Sequence, residues 1–446
     1  MEKEMKNYDP YKRTILFFAS LVNIILMTAI FAYAWYGYYA STMYQLTFYR
    51  KGHYALLALY ALLMFFFSTM YGGLKIGQLR RIEVMLSQYL SLLFTNIVAY
   101  MVICLLAFGF VNPGQLCLVF LVEMIVSTIW NVIIIYFYNR IFQPWKILLI
   151  YGERPAADLV YKVEARRDKY AIYDAINVDE GIDAIAEKMK SFQAVIIGDI
   201  SAIKRNDILK YCYAHKIRAY VIPKVSDIIL MGADRIHVFD TPFLLSKGYT
   251  LSFDQRFAKR ALDLVIAVPL TVLLSPVMLL TALAIKLYDR GPVFYRQVRC
   301  TKNNREFEII KFRSMIVNAE SDGVAKLASE NDSRITPVGH FIRATRIDEL
   351  PQLFNILIGD MSLVGPRPER PQYVEKFKEE IPRYMIKHQV RPGLTGWAQI
   401  NGYRGDTSIR KRIEYDIYYI ENWSMSFDFK IMFLTIFRGF INENAY

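Results

Sequence analysis

Four long apolar runs occupy the first third of the chain, at about residues 15–35, 54–71, 86–110 and 116–138. Each is close to the ~20 residues that an α-helix needs to cross the hydrocarbon core of a bilayer. Lys12 and Arg13 precede the first run and Arg140 follows the last, whereas the loop around Asn112 is uncharged. Because basic residues favour cytoplasmic loops, the pattern predicts a bundle of four transmembrane helices with a cytoplasmic N-terminus, over residues 1–143.

The pattern changes at about residue 146 to short β-rich runs that alternate with polar helical segments, among them AVIIGDI, DILKYCYAHKI and AYVIPK. This alternation is typical of βαβ units and a parallel sheet. The first strand ends at Gly152, where YGERPAA stands in place of the GxGxxG of a dinucleotide site. We therefore expect a Rossmann-like domain over residues 144–250, acting as a spacer or regulatory module whose nucleotide site is empty or repurposed.

A fifth apolar stretch, residues 262–287, is long enough to span a membrane but contains Pro269 and Pro276. A proline removes a hydrogen bond from the helical ladder and bends the helix. Basic residues flank the stretch on both sides, which favours two cytoplasmic ends over a full span. A buried core helix would be unusual for so long an uncharged segment. The pattern predicts a re-entrant membrane helix at about 257–288, which opens a third domain of residues 251–446.

The segment after this helix predicts a β-hairpin, because VFYRQVR and REFEIIKFR are joined by the turn Lys302-Asn303-Asn304. Lys311 and Arg313 alternate with Phe312, so both side chains should lie on one face of the second strand. Two cations on one face suit a diphosphate. A charged sheet edge that discourages aggregation would give the same pattern, and composition does not choose between them.

Two adjacent acids, Asp348 and Glu349, precede Pro351, which is favoured in the first turn of a helix. One interpretation is that they complement the helix dipole. The other is that they divide two tasks, since adjacent residues of a helix point about 100° apart: one attacks phosphorus and the other holds a hard cation. Arg343 and Arg346 would help to keep an aspartate ionised, as a nucleophile must be.

Downstream, Gly365-Pro366-Arg367-Pro368 presents Arg367 between two prolines, which reduces the entropy lost in fixing a guanidinium on a phosphate or pyrimidine. A plain surface turn is the alternative. The glycine-rich and proline-rich RPGLTGWAQINGYRG, residues 391–405, predicts a rigid loop. The aromatic C-terminal segment predicts either a platform embedded in one leaflet or a buried core helix.

Composition narrows the class of partner. With 54% apolar residues, the chain is too hydrophobic for three soluble domains of ~150 residues. Its net charge of +13 favours anionic partners, and beside membrane helices these are acidic lipid head groups or phosphorylated small molecules rather than nucleic acid. The four cysteines offer no disulfide framework or CxxC metal site.

Glu123 is the one acid well inside a span, and without a basic partner we expect it to have a structural or snorkelling role.

Taken in order, KFRSM, RIDELPQLFNILIGDMSLVGPRPE, RPGLTGWAQINGYRG and YDIYYIENWS resemble the motifs of bacterial sugar transferases, the polyprenol-phosphate phosphoglycosyl transferases with a monotopic core. The resemblance covers about residues 256–446, and the upstream segments are similar to the long form of this family. It implies a mixed α/β monotopic catalytic domain with its re-entrant helix. It also implies a plasma-membrane protein that initiates capsule or exopolysaccharide synthesis.

The resemblance implies transfer of sugar 1-phosphate from a UDP-sugar, with glucose or galactose favoured, to undecaprenyl phosphate, with release of UMP. Asp348 matches the nucleophile that forms an aspartyl phospho-sugar, and Glu349 matches its partner that binds Mg²⁺. The Pro366-Arg367-Pro368 motif implies a nucleotide contact. The positions of three further residues imply supporting contacts to phosphate or metal: Lys311, Arg313 and Asp416. Long members tend to pair, so a homodimer is also an expectation.

Two other functions are compatible with a membrane chain of this kind. A polytopic, metal-dependent transferase would act by direct attack without a covalent intermediate and would carry its acids in loops between full spans. A scaffold or sensor of polysaccharide assembly would be inert. The acids here follow one proline-containing segment, and Asp348, Glu349 and Arg367 are all present, so the residues favour the covalent transferase.

Overall fold

The computed structural model describes residues 11–40, 50–142, 144–152, 160–161, 163–164, 169–246, 251–317, 332, 334–381, 384–403 and 407–439. The chain divides into two compact units, Met1–Lys224 and Val225–Tyr446. The first unit contains both a helical bundle and a parallel sheet. The finer division into domains 1–143, 144–250 and 251–446 remains a prediction.

Four long helices open the first unit and coincide with the four predicted apolar runs: α1 (Lys12–Ala34, continued by a π-helical turn, Trp35–Tyr39), α2 (Arg50–Tyr71), α3 (Arg81–Leu106) and α4 (Gly114–Ile141). Their length and hydropathy are sufficient to cross a membrane. Large apolar side chains such as Leu62, Leu105 and Ile129 lie exposed on the outside of the bundle. A helix that is apolar on its outer face as well as its inner face is typical of a membrane span.

The interior of the bundle is unusually polar around Glu123, whose side chain is fully buried. Tyr60 donates a hydrogen bond of 2.5 Å to one carboxyl oxygen, and the amide of Asn96 donates one of 2.7 Å to the other. The Tyr60 ring stacks on Phe31 with 4.1 Å between ring centroids. Glu123 therefore has the expected structural role and does not snorkel, since it links α4 to α2 and α3 from inside.

The predicted parallel sheet is confirmed by strands β1 (Trp145–Tyr151), β2 (Tyr170–Asn177), β3 (Ala194–Ile197) and β4 (Arg218–Val221), in the order β2-β1-β3-β4. Helices α5 (Ile182–Met189) and α6 (Ala202–Ala214) lie between strands. The two central strands bury Leu148, Ile150 and Ile197 completely. A Cβ on Gly152 would lie 2.7 Å from the carbonyl oxygen of Asp199, so this glycine is required by close backbone packing.

The second unit begins with α7 (Val225–Met231) and a hairpin of β5 (Asp234–Val238) and β6 (Thr241–Leu245), followed by the 37-residue helix α8 (Phe253–Asp289). Both prolines lie inside α8, which nonetheless continues through them. The Ser275 hydroxyl donates to the carbonyl of Val272 at 2.7 Å, the group that Pro276 leaves without its backbone donor. The prolines thus remove ladder bonds without dividing the helix. Its re-entry into one leaflet remains a prediction.

The rest of the unit builds the polar region. Strands β7 (Phe294–Cys300) and β8 (Glu306–Phe312) form the predicted antiparallel hairpin, with Asn303 in the left-handed region of its turn at φ 57°. The remaining elements are α9 (Pro337–Ala344), α10 (Gln352–Ile358), β9 (Ser362–Val364), α11 (Pro371–Glu380), β10 (Gly393–Thr395), α12 (Trp397–Ile400), α13 (Ile409–Glu421) and α14 (Met425–Gly439). Strands β9 and β10 pair in parallel.

Candidate active site

Asp348 and Glu349 lie on a single 3-10 turn, Ile347–Glu349, between α9 and α10. Arg346 opens the turn in the left-handed region, with φ 57° and ψ 18°. Pro351 occupies the N-cap of α10 and offers no side-chain cap, in agreement with the predicted helix start. Both carboxylates are half-buried. Because they lie on a short turn rather than inside a helix, their side chains can contact other segments of the chain.

Glu349 pairs with a lysine rather than capping a helix. Its Oε1 accepts a hydrogen bond from Nζ of Lys311 at 2.8 Å, and the two side chains are only 16% and 20% exposed. Burial raises the pKa of Glu349, but the nearby cations Lys311, Arg367 and Arg346 outweigh burial and hold that pKa well below its ordinary value. Glu349 is therefore an anion at neutral pH.

Asp348 differs from its neighbour in pKa. Burial and the adjacent charge of Glu349 raise the pKa of Asp348 to about 6, against the opposing effect of Lys311, Arg343 and Arg346. The environment thus separates the pKa values of two neighbouring carboxyl groups, a pattern that accompanies a division of roles in active sites. At neutral pH most Asp348 is ionised and is less well paired than Glu349.

Arg313 has a different partner from Lys311, with which it was expected to share a face. Strand β8 ends at Phe312, and the buried guanidinium of Arg313 forms an ion pair with Asp289 at the end of α8. A Cβ on Gly291 would collide with this guanidinium, so a larger residue there would force the Arg313 side chain to move. Lys311 therefore contacts the acidic pair, while Arg313 anchors the end of the long helix.

The Pro366-Arg367-Pro368 turn follows β9 and is held by the predicted rigid loop. The N–H of Gly393 donates to the carbonyl of Pro366 at 2.9 Å, and a Cβ on Gly393 would overlap the backbone of Gly365. Both prolines are buried and Arg367 is half-buried. Residues 404–406, at the end of the predicted loop, lie outside the described residues.

A second guanidinium accompanies the turn. Arg299 donates to the carbonyl of Pro368 at 3.2 Å. Burial, together with the neighbouring charge of Arg367, lowers the pKa of Arg299 to about 10. Since Arg367 also acts on the pKa of Glu349, the turn carries positive charge toward the acidic pair. Such a surface suits an anionic ligand.

Asp416 lies in a buried ion network on the other side of this turn. Its carboxylate on α13 is 3.8 Å from Nζ of Lys387, which is also 3.7 Å from Glu369. Arg412 pairs with the same Glu369 oxygen at 2.8 Å. Burial raises the pKa of Asp416 to about 6. In the described residues its ion-pair partner is Lys387, so the geometry assigns Asp416 to the support of Glu369 and the turn; direct contact with phosphate or metal remains a prediction.

Sequence reasoning missed several residues that hold these parts together. Asn355, on α10, bonds to the backbone of β8. Arg260, on α8, donates to the carbonyls of Ile356 and Leu357 at the end of α10, at 2.6 and 2.8 Å. The available signal was a polar residue within an otherwise apolar helix, FNILI for Asn355, and that signal does not identify a partner.

The donors present fit a hard cation such as Mg²⁺. Glu349 is ionised, Asp348 stands beside it, and both offer carboxylate oxygens. Among the described residues no group of three or more His, Cys, Asp or Glu side chains is placed to hold a metal ion. One or two carboxylates, completed by substrate phosphates and water, are a common protein contribution to a Mg²⁺ site.

Residues 254–442 match the family model described as bacterial sugar transferase. A UDP-glucose:undecaprenyl-phosphate glucose-1-phosphate transferase of Caulobacter vibrioides is 46% identical over 192 residues, which cover 42% of this chain and 72% of the relative. The chain belongs to the bacterial sugar transferase family. The resemblance drawn from the motifs is confirmed, and the region matched contains Asp348, Glu349 and Arg367.

Other members of the bacterial sugar transferase family are similar to this chain over a larger part of it. A UDP-glucose:undecaprenyl-phosphate glucose-1-phosphate transferase of Escherichia coli is 47% identical over 219 residues, 48% of this chain and 45% of the relative. A UDP-N-acetylgalactosamine-undecaprenyl-phosphate N-acetylgalactosaminephosphotransferase of Aeromonas hydrophila is 42% identical over 268 residues, 59% of this chain and 58% of the relative. The matched part of the chain spans about half the length of these two relatives.

Proposed function

We propose that the protein is a phosphoglycosyl transferase that moves sugar 1-phosphate from a UDP-sugar to undecaprenyl phosphate and releases UMP. The observation that carries this proposal is the contact of ionised Glu349 with Lys311, next to an Asp348 whose pKa is raised to about 6. Relatives named for UDP-glucose, UDP-N-acetylgalactosamine and UDP-galactose support a UDP-sugar donor, with glucose or galactose as our expectation. These features favour an enzyme over an inert scaffold or sensor.

In the first half-reaction, an oxygen of Asp348 attacks the β-phosphorus of the UDP-sugar. An oxygen–phosphorus bond forms, the bond from that phosphorus to the bridging oxygen breaks, and the oxygen leaves on UMP. The sugar 1-phosphate remains on Asp348 as an acyl phosphate. A carboxylate with a pKa of about 6 is mostly ionised at neutral pH, as this attack requires.

In the second half-reaction, a phosphate oxygen of undecaprenyl phosphate attacks the same phosphorus. The bond to Asp348 breaks, the carboxylate is restored, and the product is the undecaprenyl diphosphate sugar. Confinement of the lipid phosphate at the membrane surface raises its effective concentration at the site. The kinetics should be ping-pong, and a sequential pattern would instead favour direct attack on the donor.

Lys311, Arg367 and Arg299 supply positive charge for the diphosphate and its leaving group, with the nucleotide resting against the Pro366-Arg367-Pro368 turn. Arg313 and Asp416 support this region through Asp289 and Glu369. Glu349, helped by Asp348 before attack, would hold Mg²⁺, which when bound would neutralise charge on the diphosphate. Lys311 lies close enough to Glu349 to stabilise the charge of its carboxylate.

The cellular setting follows from the apolar helices. We infer a bacterial plasma-membrane protein with α1 to α4 as spans and α8 as a re-entrant helix, so that the catalytic region faces the cytoplasm. The parallel-sheet domain is inferred to be Rossmann-like. The proposed reaction would initiate a capsule or exopolysaccharide repeat unit, and a homodimer is an additional expectation.

The proposed function is tested by measuring UMP release with the full chain in membranes. UDP-glucose, UDP-galactose and their N-acetylated analogues would each be supplied with undecaprenyl phosphate. We expect UMP release and a labelled lipid diphosphate with at least one of these sugars. Absence of UMP release with every donor would contradict the proposed function and favour the scaffold.

A further inference from the structure

The side chain of Asn355 connects the two segments that carry Lys311 and Glu349. Asn355 lies on α10, the helix that starts directly after the acidic turn, and it is 2% exposed. Its Oδ1 accepts a hydrogen bond from the N–H of Ile310 at 3.0 Å, and its Nδ2 donates to the carbonyl of Glu308 at 2.7 Å. Both backbone groups belong to β8, which ends just after Lys311.

The carboxamide takes the place of a neighbouring strand. In the described residues β8 pairs with one strand, β7, in a two-stranded sheet. An amide group has one acceptor and one donor in the arrangement of a peptide unit, so it can satisfy an N–H and a C=O two residues apart. A buried backbone group left without a hydrogen-bond partner is costly. Any shift of Asn355 along β8 would break both bonds, so the two bonds fix the position of α10 relative to β8.

The backbone of Asn355 is equally constrained. Its carbonyl accepts hydrogen bonds from the N–H groups of Gly359, Asp360 and Met361 at 3.0 to 3.2 Å, where α10 ends. Arg260 holds the next two carbonyls of the helix from α8. Helix α10 is therefore fixed to the long apolar helix by Arg260 and to the Lys311 strand by Asn355. The acidic turn precedes α10 and takes its position from the helix.

From this geometry we infer that Asn355 is a positioning residue that sets the contact between Lys311 and Glu349. It has no contact with the acidic pair itself and acts through the one-residue link from Ile310 to Lys311. The inference rests on the proposed function, because the contact matters for turnover only if the site transfers phosphate. It identifies a residue outside the acidic pair and the Pro-Arg-Pro turn on which the rate should depend.

The first test compares two substitutions of Asn355, one that removes only the donor of the side-chain amide and one that removes the whole amide. Asn355→Asp keeps the acceptor for Ile310 but opposes the carbonyl of Glu308, whereas Asn355→Ala removes both bonds. We expect kcat to fall about 10-fold to 100-fold in both variants, since a displacement of about 1 Å at a reacting group can cost that much. KM for the UDP-sugar should change little. Asn177→Ala is the control, because Asn177 ends β2 in the other compact unit and its side chain accepts a local hydrogen bond from the N–H of Asp179.

The second test is a double-mutant cycle, which separates positioning from general loss of folding. If Asn355 acts through Lys311, Asn355→Ala should reduce kcat strongly in the wild type and hardly at all in a Lys311→Met background. The thermal unfolding midpoint of every variant would be measured in the same detergent. Hydrogen exchange of the Ile310 amide should be faster in Asn355→Ala than in the Asn177→Ala control.

The outcomes distinguish this inference from the proposed function. Effects of Asn355→Ala and Lys311→Met that simply multiply would overturn the positioning role while leaving the transferase intact. A wild-type kcat in Asn355→Ala with fast exchange at Ile310 would do the same. If the wild-type chain releases no UMP from any UDP-sugar, the proposed function fails first and the positioning role fails with it.

Discussion

Lys311 Nζ lies 2.8 Å from Oε1 of Glu349, across 38 residues of chain, in a site where both side chains are mostly removed from water. The pair explains how Glu349 remains ionised beside a second carboxylate. It also places a cation within reach of any phosphate that approaches Asp348.

Replacement of Lys311 should slow the reaction. Lys311→Met removes the nearest cation from Glu349 and from the expected position of the diphosphate, so we expect kcat for UMP release to fall about 100-fold or more. Lys302→Met, in the turn of the same hairpin, is the control and should have a small effect. Equal activity of the two variants would show that the Lys311 contact is structural only.

The pH profile of kcat/KM should have an acidic limb with its midpoint near pH 6. The pKa of Asp348 is raised to about 6, and only its ionised form can attack phosphorus, so kcat/KM should fall about tenfold per pH unit below 6 and level off above 7. Asp416 also has a pKa near 6, so the profile would be repeated with Asp416→Asn. We expect the limb to persist in that variant. If the acidic limb disappeared in Asp416→Asn, the limb would report the ionisation of Asp416 and not that of Asp348.

The long helix α8 is joined to the C-terminal helices by an ion pair whose loss should destabilise the catalytic unit. Lys259 Nζ lies 2.6 Å from Asp428, with exposures of 8% and 2%, and Tyr419 bonds to both residues. Removal of one partner of such a pair costs about 3–5 kcal/mol. We expect Lys259→Met to lower the thermal unfolding midpoint clearly.

The control for Lys259→Met is Arg296→Met, which breaks an ion pair with Glu308 whose side chains are 65% and 56% exposed. Exposed pairs contribute about 0–1 kcal/mol, so this variant should unfold close to the wild type. An unchanged midpoint in Lys259→Met would mean that the buried pair does not hold α8 in place.

Glu123 should matter for stability and not for catalysis. Glu123→Ala removes the closest acceptor of the buried Tyr60 hydroxyl and one of the two acceptors of the Asn96 amide, which also donates to the carbonyl of Leu92. A buried group left unpaired costs about 1–3 kcal/mol. We expect faster thermal inactivation in detergent, with unchanged UMP release per folded molecule. Glu123→Gln keeps an acceptor and should inactivate more slowly than Glu123→Ala. Loss of activity in a well-folded Glu123→Ala protein would contradict a purely structural role.

The elements that could be predicted from the sequence are those with local signals. The apolar runs, the parallel-sheet segment and the β7–β8 hairpin follow from periodicity and turn residues. The alternation of Lys311 and Arg313 did not identify their partners. Lys311 contacts Glu349, whereas Arg313 pairs with Asp289.

The contacts between distant segments could not be predicted in the same way. The distance from Lys311 to Glu349 in sequence gives no indication that they meet, because α10 and its bonds to β8 create the contact. In the sequence, Asn355 is a single polar residue in an apolar helix, and a residue in that position can have many different roles. The pairing of Asp416 with Lys387 could not be predicted from the sequence either, and its expected contact with phosphate or metal stays a prediction.

The most direct test of the account is covalent labelling of the protein with a UDP-sugar that carries radioactive sugar, in the absence of undecaprenyl phosphate. The wild-type chain should release UMP and retain label, and later addition of the lipid phosphate should remove that label. Asp348→Asn should do neither, while Asp416→Asn should still become labelled. Retained label on Asp348→Asn, or UMP release by the wild type only when lipid is present and without any labelled protein, would contradict attack by Asp348.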